Sequence, residues 1–121
     1  MLIKDFYTIE CSSVDADNNF NYSIKLNPEH NIYQGHFPDK HITPGVCNIQ
    51  IIKECAEVAL SKSLTLKTID RCRLTAMVTP NDTPNFNVKI AFDKNNPLKM
   101  DASIFKDEVV FMTLSGVLVE K

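Results

Sequence analysis

The sequence predicts an α+β domain in which an antiparallel sheet of five or six strands wraps around one long, largely enclosed helix. Three observations carry this expectation. Several short segments alternate apolar and polar side chains with the period of half-buried strands. Residues 44–60 alone combine a helix start signal with an apolar surface too wide for an exposed helix. No repeat, low-complexity tract or linker divides the 121 residues, so residues 1–121 form a single domain. One apolar helix among many strands must be covered by them.

In chain order, Leu2 to Ile9 reads as a first strand. Phe20, Tyr22, Ile24 and Leu26 alternate with Asn21, Ser23 and Lys25 as a second. In the helix, Thr43 suits the N-cap and Pro44 the first helical position, and the run continues to Leu60. At about 100° per residue, Gln50, Lys53, Glu54 and Glu57 share one polar stripe. Ile49, Ile51, Ile52, Cys55, Ala56, Val58, Ala59 and Leu60 fill most of the remaining circumference. An extended stretch begins near Leu64 and continues through Leu74, Ala76 and Val78. Phe86 to Phe92 and Leu98 to Ile104 are two further alternating strands. Val109 to Val119 is apolar on both faces, the pattern of a central, covered strand. Asn81-Asp82-Thr83-Pro84, the residues from Asp93 to Pro97, and Lys106-Asp107-Glu108 are turn signals.

The bulk properties are those of an ordinary globular protein, with 44% hydrophobic and 23% charged residues. A formal charge of -2 gives no general attraction to nucleic acid or anionic membrane. The first residues carry no basic-then-apolar leader, and no run is long enough to span a bilayer, so a cytoplasmic protein is expected. Cys11, Cys47, Cys55 and Cys72 form no Cys-x-x-Cys pair and are expected to be small buried hydrophobes. His30, His36 and His41 match no metal-ligand spacing, and neither a metal nor another cofactor is expected.

Residues 27–43 show no periodicity of either kind, and long connections of this sort are often functional. The segment contains all three histidines and delivers the chain to the helix N-terminus, where unpaired N–H groups and the positive end of the helix dipole lie. Gly45 leaves room for a ligand oxygen to reach those donors, as in an oxyanion site. His36 is the plausible base close to that end, and imidazole titrates near neutrality. On local grounds alone, Pro44-Gly45 reads as a plain helix start, and a lone loop histidine more often as a surface or structural residue.

Taken together, Gly35-His36-Phe37-Pro38-Asp39-Lys40-His41-Ile42-Thr43-Pro44-Gly45-Val46 resembles the G-H-F-P-x-x-x-x-x-P-G-V signature of the bacterial 3-hydroxyacyl-[acyl-carrier-protein] dehydratases of fatty acid biosynthesis. The match is close from Asn27 to Leu60 and weaker, but in register, over the later strands. The resemblance implies a hot-dog fold, a curved antiparallel sheet around one long central helix. It also implies a homodimer, or a higher oligomer of dimers, with an acyl tunnel beside the helix. It makes His36 the base that removes the α-proton of a 3-hydroxyacyl thioester. Backbone N–H groups at Gly45 and Val46 would hold the thioester carbonyl, with Phe37 and Pro44 beside the substrate. Acyl carrier protein is the implied carrier, and Lys67, Arg71 and Arg73 could meet its acidic surface.

The sequence departs from the family pattern at the acid. Fourteen residues after His36, where the family has Glu or Asp, stands Gln50, and Glu54 occupies the position one turn later where the family usually has Gln. An amide cannot give up a proton. Three readings follow: Glu54, positioned by Gln50, is the acid; the site binds acyl thioesters without dehydrating them; or both residues belong to a solvated stripe. The leading expectation is dehydration to a trans-2-enoyl thioester. Its rivals are thioester hydrolysis using Glu54 or Glu57, and a non-catalytic, acyl-binding partner subunit of a dehydratase.

Overall fold

The computed structural model of the protein describes residues 7–17, 19–27, 45–76 and 85–121. Within them run β1 (Tyr7–Val14), β2 (Phe20–Leu26), α1 (Gly45–Leu60), β3 (Leu64–Leu74), β4 (Asn85–Phe92), β5 (Lys99–Lys106) and β6 (Val109–Glu120). The six strands form one antiparallel sheet in the order β1-β2-β4-β5-β6-β3. The α1 helix packs on β3 and β4. This is the expected α+β arrangement of one helix against one antiparallel sheet.

The period-two pattern becomes the inner face of the sheet. Ile24 lies opposite Phe86, Val88 opposite Ile104, and Ala102 opposite Leu114, all of them buried. Helix residues Cys47, Ile51, Ile52, Cys55 and Ala56 join them in one core cluster. Burying a side chain the size of Ile or Phe stabilises the fold by about 1.5–3 kcal/mol, so these positions decide the register. A one-residue slip would turn each of them to the other face. Phe20 and Phe92 close one end of the sheet in an edge-to-face contact, their ring centroids 5.6 Å apart.

Several sequence expectations need correction. The first strand reaches Val14, beyond the expected Ile9, and its part before Tyr7 lies outside the described residues. Glu10–Val14 lie exposed at the sheet edge, so burial imposes no apolar alternation on them. The turn to β2 is set by Asp15, whose Oδ1 accepts the N–H groups of Asp17 and Asn19 at 2.9 and 3.0 Å. The β6 strand is interior, as expected, but covered on one face only. Met112, Leu114 and Leu118 are buried, whereas Thr113, Ser115 and Val117 on the other face are half-buried. Two of the four cysteines, Cys11 and Cys72, are exposed, because both lie on edge strands; Cys47 and Cys55 are buried. Val58 departs from the enclosed helix face at 55% exposure.

The Asp93 and Asp107 turns form where expected. Asp93 accepts the N–H groups of Asn95 and Asn96, and Asp107 takes a left-handed φ of 53° between β5 and β6. The Asn81–Pro84 turn and Val78 lie outside the described residues. The β3 strand carries two register shifts, between Leu66 and Thr68 and between Ile69 and Arg71. Gly116 of β6 is required between them: a Cβ there would stand 2.5 Å from the Thr68 carbonyl oxygen.

Candidate active site

Gly45 and Val46 open α1, and no acidic side chain occupies its first turn. The positive end of the helix dipole is therefore not offset by the helix's own acids. His36, Phe37 and Pro44, with His30 and His41, lie outside the described residues.

The polar stripe is not a solvated one. Glu54 is 6% exposed and Lys53 8%, while Gln50 and Glu57 are half-buried. Helical spacing brings Gln50 and Glu54 together, and Gln50 Nε2 donates to Glu54 Oε2 at 2.8 Å. A second donor comes from a residue that no motif or spacing singles out. Tyr7 at the start of β1 donates its phenol O–H to Glu54 Oε1 at 2.5 Å, with both groups buried. Burial, and then the Glu54 carboxylate, push the Tyr7 phenol far above its ordinary value, so it remains a donor. Burial, and then Glu54, likewise push the Cys55 thiol up to about 12, which keeps it a neutral core group rather than a nucleophile.

The other half of the stripe is committed elsewhere. Lys53 Nζ pairs with Glu57 Oε1 at 3.0 Å, and Glu57 Oε2 accepts the Leu64 N–H at 2.9 Å. Partial burial raises the Glu57 carboxyl, but the Leu64 N–H and Lys53 outweigh it and leave the group below its ordinary value. Glu57 thus ties the helix to the start of β3. Asn48 is completely buried, and neither polar atom of its side chain meets a hydrogen-bond partner among the described residues. Among the described residues no three His, Cys, Asp or Glu side chains cluster as metal ligands, and no helix is long and apolar enough to cross a membrane.

Among the described residues, six antiparallel strands packed on one helix make a hot-dog fold. The chain belongs to the ApeI-like family, whose model, described as ApeI dehydratase, matches residues 12–113. It is similar to the 3-hydroxyacyl-[acyl-carrier-protein] dehydratase FabZ of Sulfurimonas denitrificans, 26% identical over 106 residues, which cover 75% of this chain and 71% of that protein. It is 38% identical to the FabZ of Staphylococcus carnosus over 65 residues, 48% of this chain. The chain spans just under half of that protein's length, 45%.

Among solved structures the fold resembles that of "The Dehydratase Heterocomplex ApeI:P from Xenorhabdus doucetiae". The TM-score is 0.78 at 18% identity, covering 93% of this chain and 97% of that one. An uncharacterized protein from Erwinia carotovora subsp. atroseptica aligns with a TM-score of 0.70 at 13% identity, over 93% of each chain.

Proposed function

We propose that this protein dehydrates a 3-hydroxyacyl thioester, carried on acyl carrier protein, to the trans-2-enoyl thioester. The observation that carries the reading is the part-buried Gln50–Glu54 hydrogen bond on the helix that opens with Gly45-Val46. It keeps the family's two side-chain types in mutual contact although their order is exchanged.

In this mechanism neutral His36 takes the α-proton, and the N–H groups of Gly45 and Val46 hold the thioester oxygen as it gains charge. The β-carbon–oxygen bond breaks as Glu54 delivers its proton to the departing hydroxyl. One C–H and one C–O bond are lost, the α–β double bond forms, and water leaves. His36 ends protonated and Glu54 ionised, and solvent resets both. Phe37 and Pro44 flank the substrate, and Lys67, Arg71 and Arg73, on or beside the exposed stretch of β3, offer positive charge to an acidic carrier.

The test is to supply 3-hydroxyacyl thioesters on carrier protein and on coenzyme A and follow enoyl absorbance. Enoyl product is expected, and His36→Ala should lower its formation by about 100- to 10,000-fold with the fold intact. Free acid as the product would mean hydrolysis instead. Glu57, committed to Lys53 and Leu64, is poorly placed to activate water for that reaction.

A second reading has its own support. Gln50 stands where the family has its acid, and the similar solved structure from Xenorhabdus doucetiae is a dehydratase heterocomplex. This chain would then be an acyl-binding subunit that lends half a site to a competent partner. An inactive protein that becomes active only when mixed with such a dehydratase would establish this second role.

A further inference from the structure

We propose that Tyr7 is a positioning residue of this site, its phenol O–H fixing Oε1 of Glu54 and stabilising the negative charge that forms there when Glu54 gives up its proton. The proposal rests on the dehydratase reading above and adds to it a residue from β1, outside the signature.

The geometry is specific. Tyr7 is 4% exposed and Glu54 6%, and the two oxygens lie 2.5 Å apart. A phenylalanine would fill the same core position, so what the hydroxyl adds is this hydrogen bond. Gln50 from the same helix takes Oε2, so the two carboxyl oxygens are held by donors from two separate elements. Two such anchors restrict rotation of the carboxyl group about its terminal bond, which orients its proton.

Among the described residues, the other charged and titratable groups beside Glu54 are neutral or paired with one another. Cys55 beside Glu54 stays a thiol, Tyr22 is likewise pushed above its ordinary value by burial, and Lys53 and Glu57 pair with one another. When Glu54 releases its proton, the Tyr7 bond changes from a neutral one to a charge-assisted one, which is about twice as strong. An interaction that strengthens only as the reaction proceeds raises turnover rather than substrate affinity.

The experiment measures kcat and KM against pH for the full-length wild type, for Tyr7→Phe, and for protein with 3,5-difluorotyrosine incorporated at position 7. Tyr7→Phe should lower kcat about tenfold and leave KM within about twofold, as expected for loss of one charge-assisted bond made in the transition state. Loss of a donor to the carboxylate disfavours its charged form, so one limb of the kcat profile should move up by about one pH unit while the other stays. The fluorinated phenol is a stronger donor of nearly the same size, so it should move that limb down. A residue that only packed the core would shift neither limb. If Tyr7→Phe fails to fold, the fluorinated protein alone decides the matter.

Superimposable profiles in an active enzyme would overturn the role of Tyr7 and leave the dehydratase reading standing. A wild type that turns over no 3-hydroxyacyl thioester would overturn both.

Discussion

In the proposed mechanism Gln50 and Glu54 hold the family's pair in exchanged order, and that order sets which group lies one helical turn nearer to Gly45. The i, i+4 spacing places them about 5–6 Å apart at Cβ, within reach of the hydrogen bond that joins them. A proton delivered from Glu54 therefore starts about one turn farther from the helix N-terminus than a proton from position 50 would. Glu54→Gln should lower enoyl formation about 100-fold or more, because an amide cannot replace the proton. The double change Gln50→Glu with Glu54→Gln restores the family order and should keep or raise turnover in the same absorbance assay. An active wild type indifferent to Glu54→Gln removes Glu54 from the acid's role, and an inactive wild type revived by the double change marks a partner subunit. The Gln50–Glu54 contact was legible in the sequence because helical spacing is local. Tyr7 was not, since 47 residues separate it from Glu54 and an aromatic side chain near a strand start reads as core.

At the scale of elements, α1 is defined by its ends as much as by its apolar face. The helix itself was legible in the sequence to its last residue, Leu60, while the expected Thr43 cap and Pro44 lie outside the described residues. The means of its C-terminal stop was not legible, because it uses Ser61 at a left-handed φ of 54° rather than glycine, followed by a Lys62 N–H bond to the Glu57 carbonyl. Glu57 then ties this end to β3 through Leu64. Its folded carboxyl lies below its ordinary value of 4.5, so its contribution is complete above that pH and is lost as pH falls through the lower folded value. Thermal unfolding followed between neutral pH and pH 3 should show this loss below 4.5. Glu57→Gln should reduce the acid-dependent part and cost about 1 kcal/mol at neutral pH. A pH dependence unchanged in Glu57→Gln would assign the acid sensitivity to other carboxylates. The strands were legible wherever one face is buried and illegible along Glu10–Val14, where neither face is.

For the whole molecule, the exposed apolar side chains are unevenly distributed. Ile69 and Leu74 on edge strand β3 are 47% and 45% exposed, and Val110, whose carbonyl accepts the Thr75 hydroxyl hydrogen bond, is 42% exposed. The homodimer that the family resemblance implies would cover such positions. Light scattering at micromolar concentration should give twice the 13.7 kDa monomer mass or a higher even multiple, and a monomer mass would rule that dimer out. The order β1-β2-β4-β5-β6-β3 could not be read from sequence, because period-two patterning tells which face is buried and nothing about which strand is the neighbour.

The placement of β3 also bears on how the protein is made. This strand follows the helix directly, yet its sheet partner among the described strands is β6, which lies across the β4–β5 hairpin from it in sequence. During synthesis β3 must therefore wait for β4, β5 and β6 to be made before its backbone groups find that partner. Pairings between distant segments are slow to close, because loop entropy is lost before any contact rewards it. The bulges at Leu66/Thr68 and Ile69/Arg71 and the charges of Lys67, Asp70, Arg71 and Arg73 make β3 a poor template for pairing with other nascent chains. The same irregularities that bend the finished edge thus guard the strand through the interval in which it has no partner of its own.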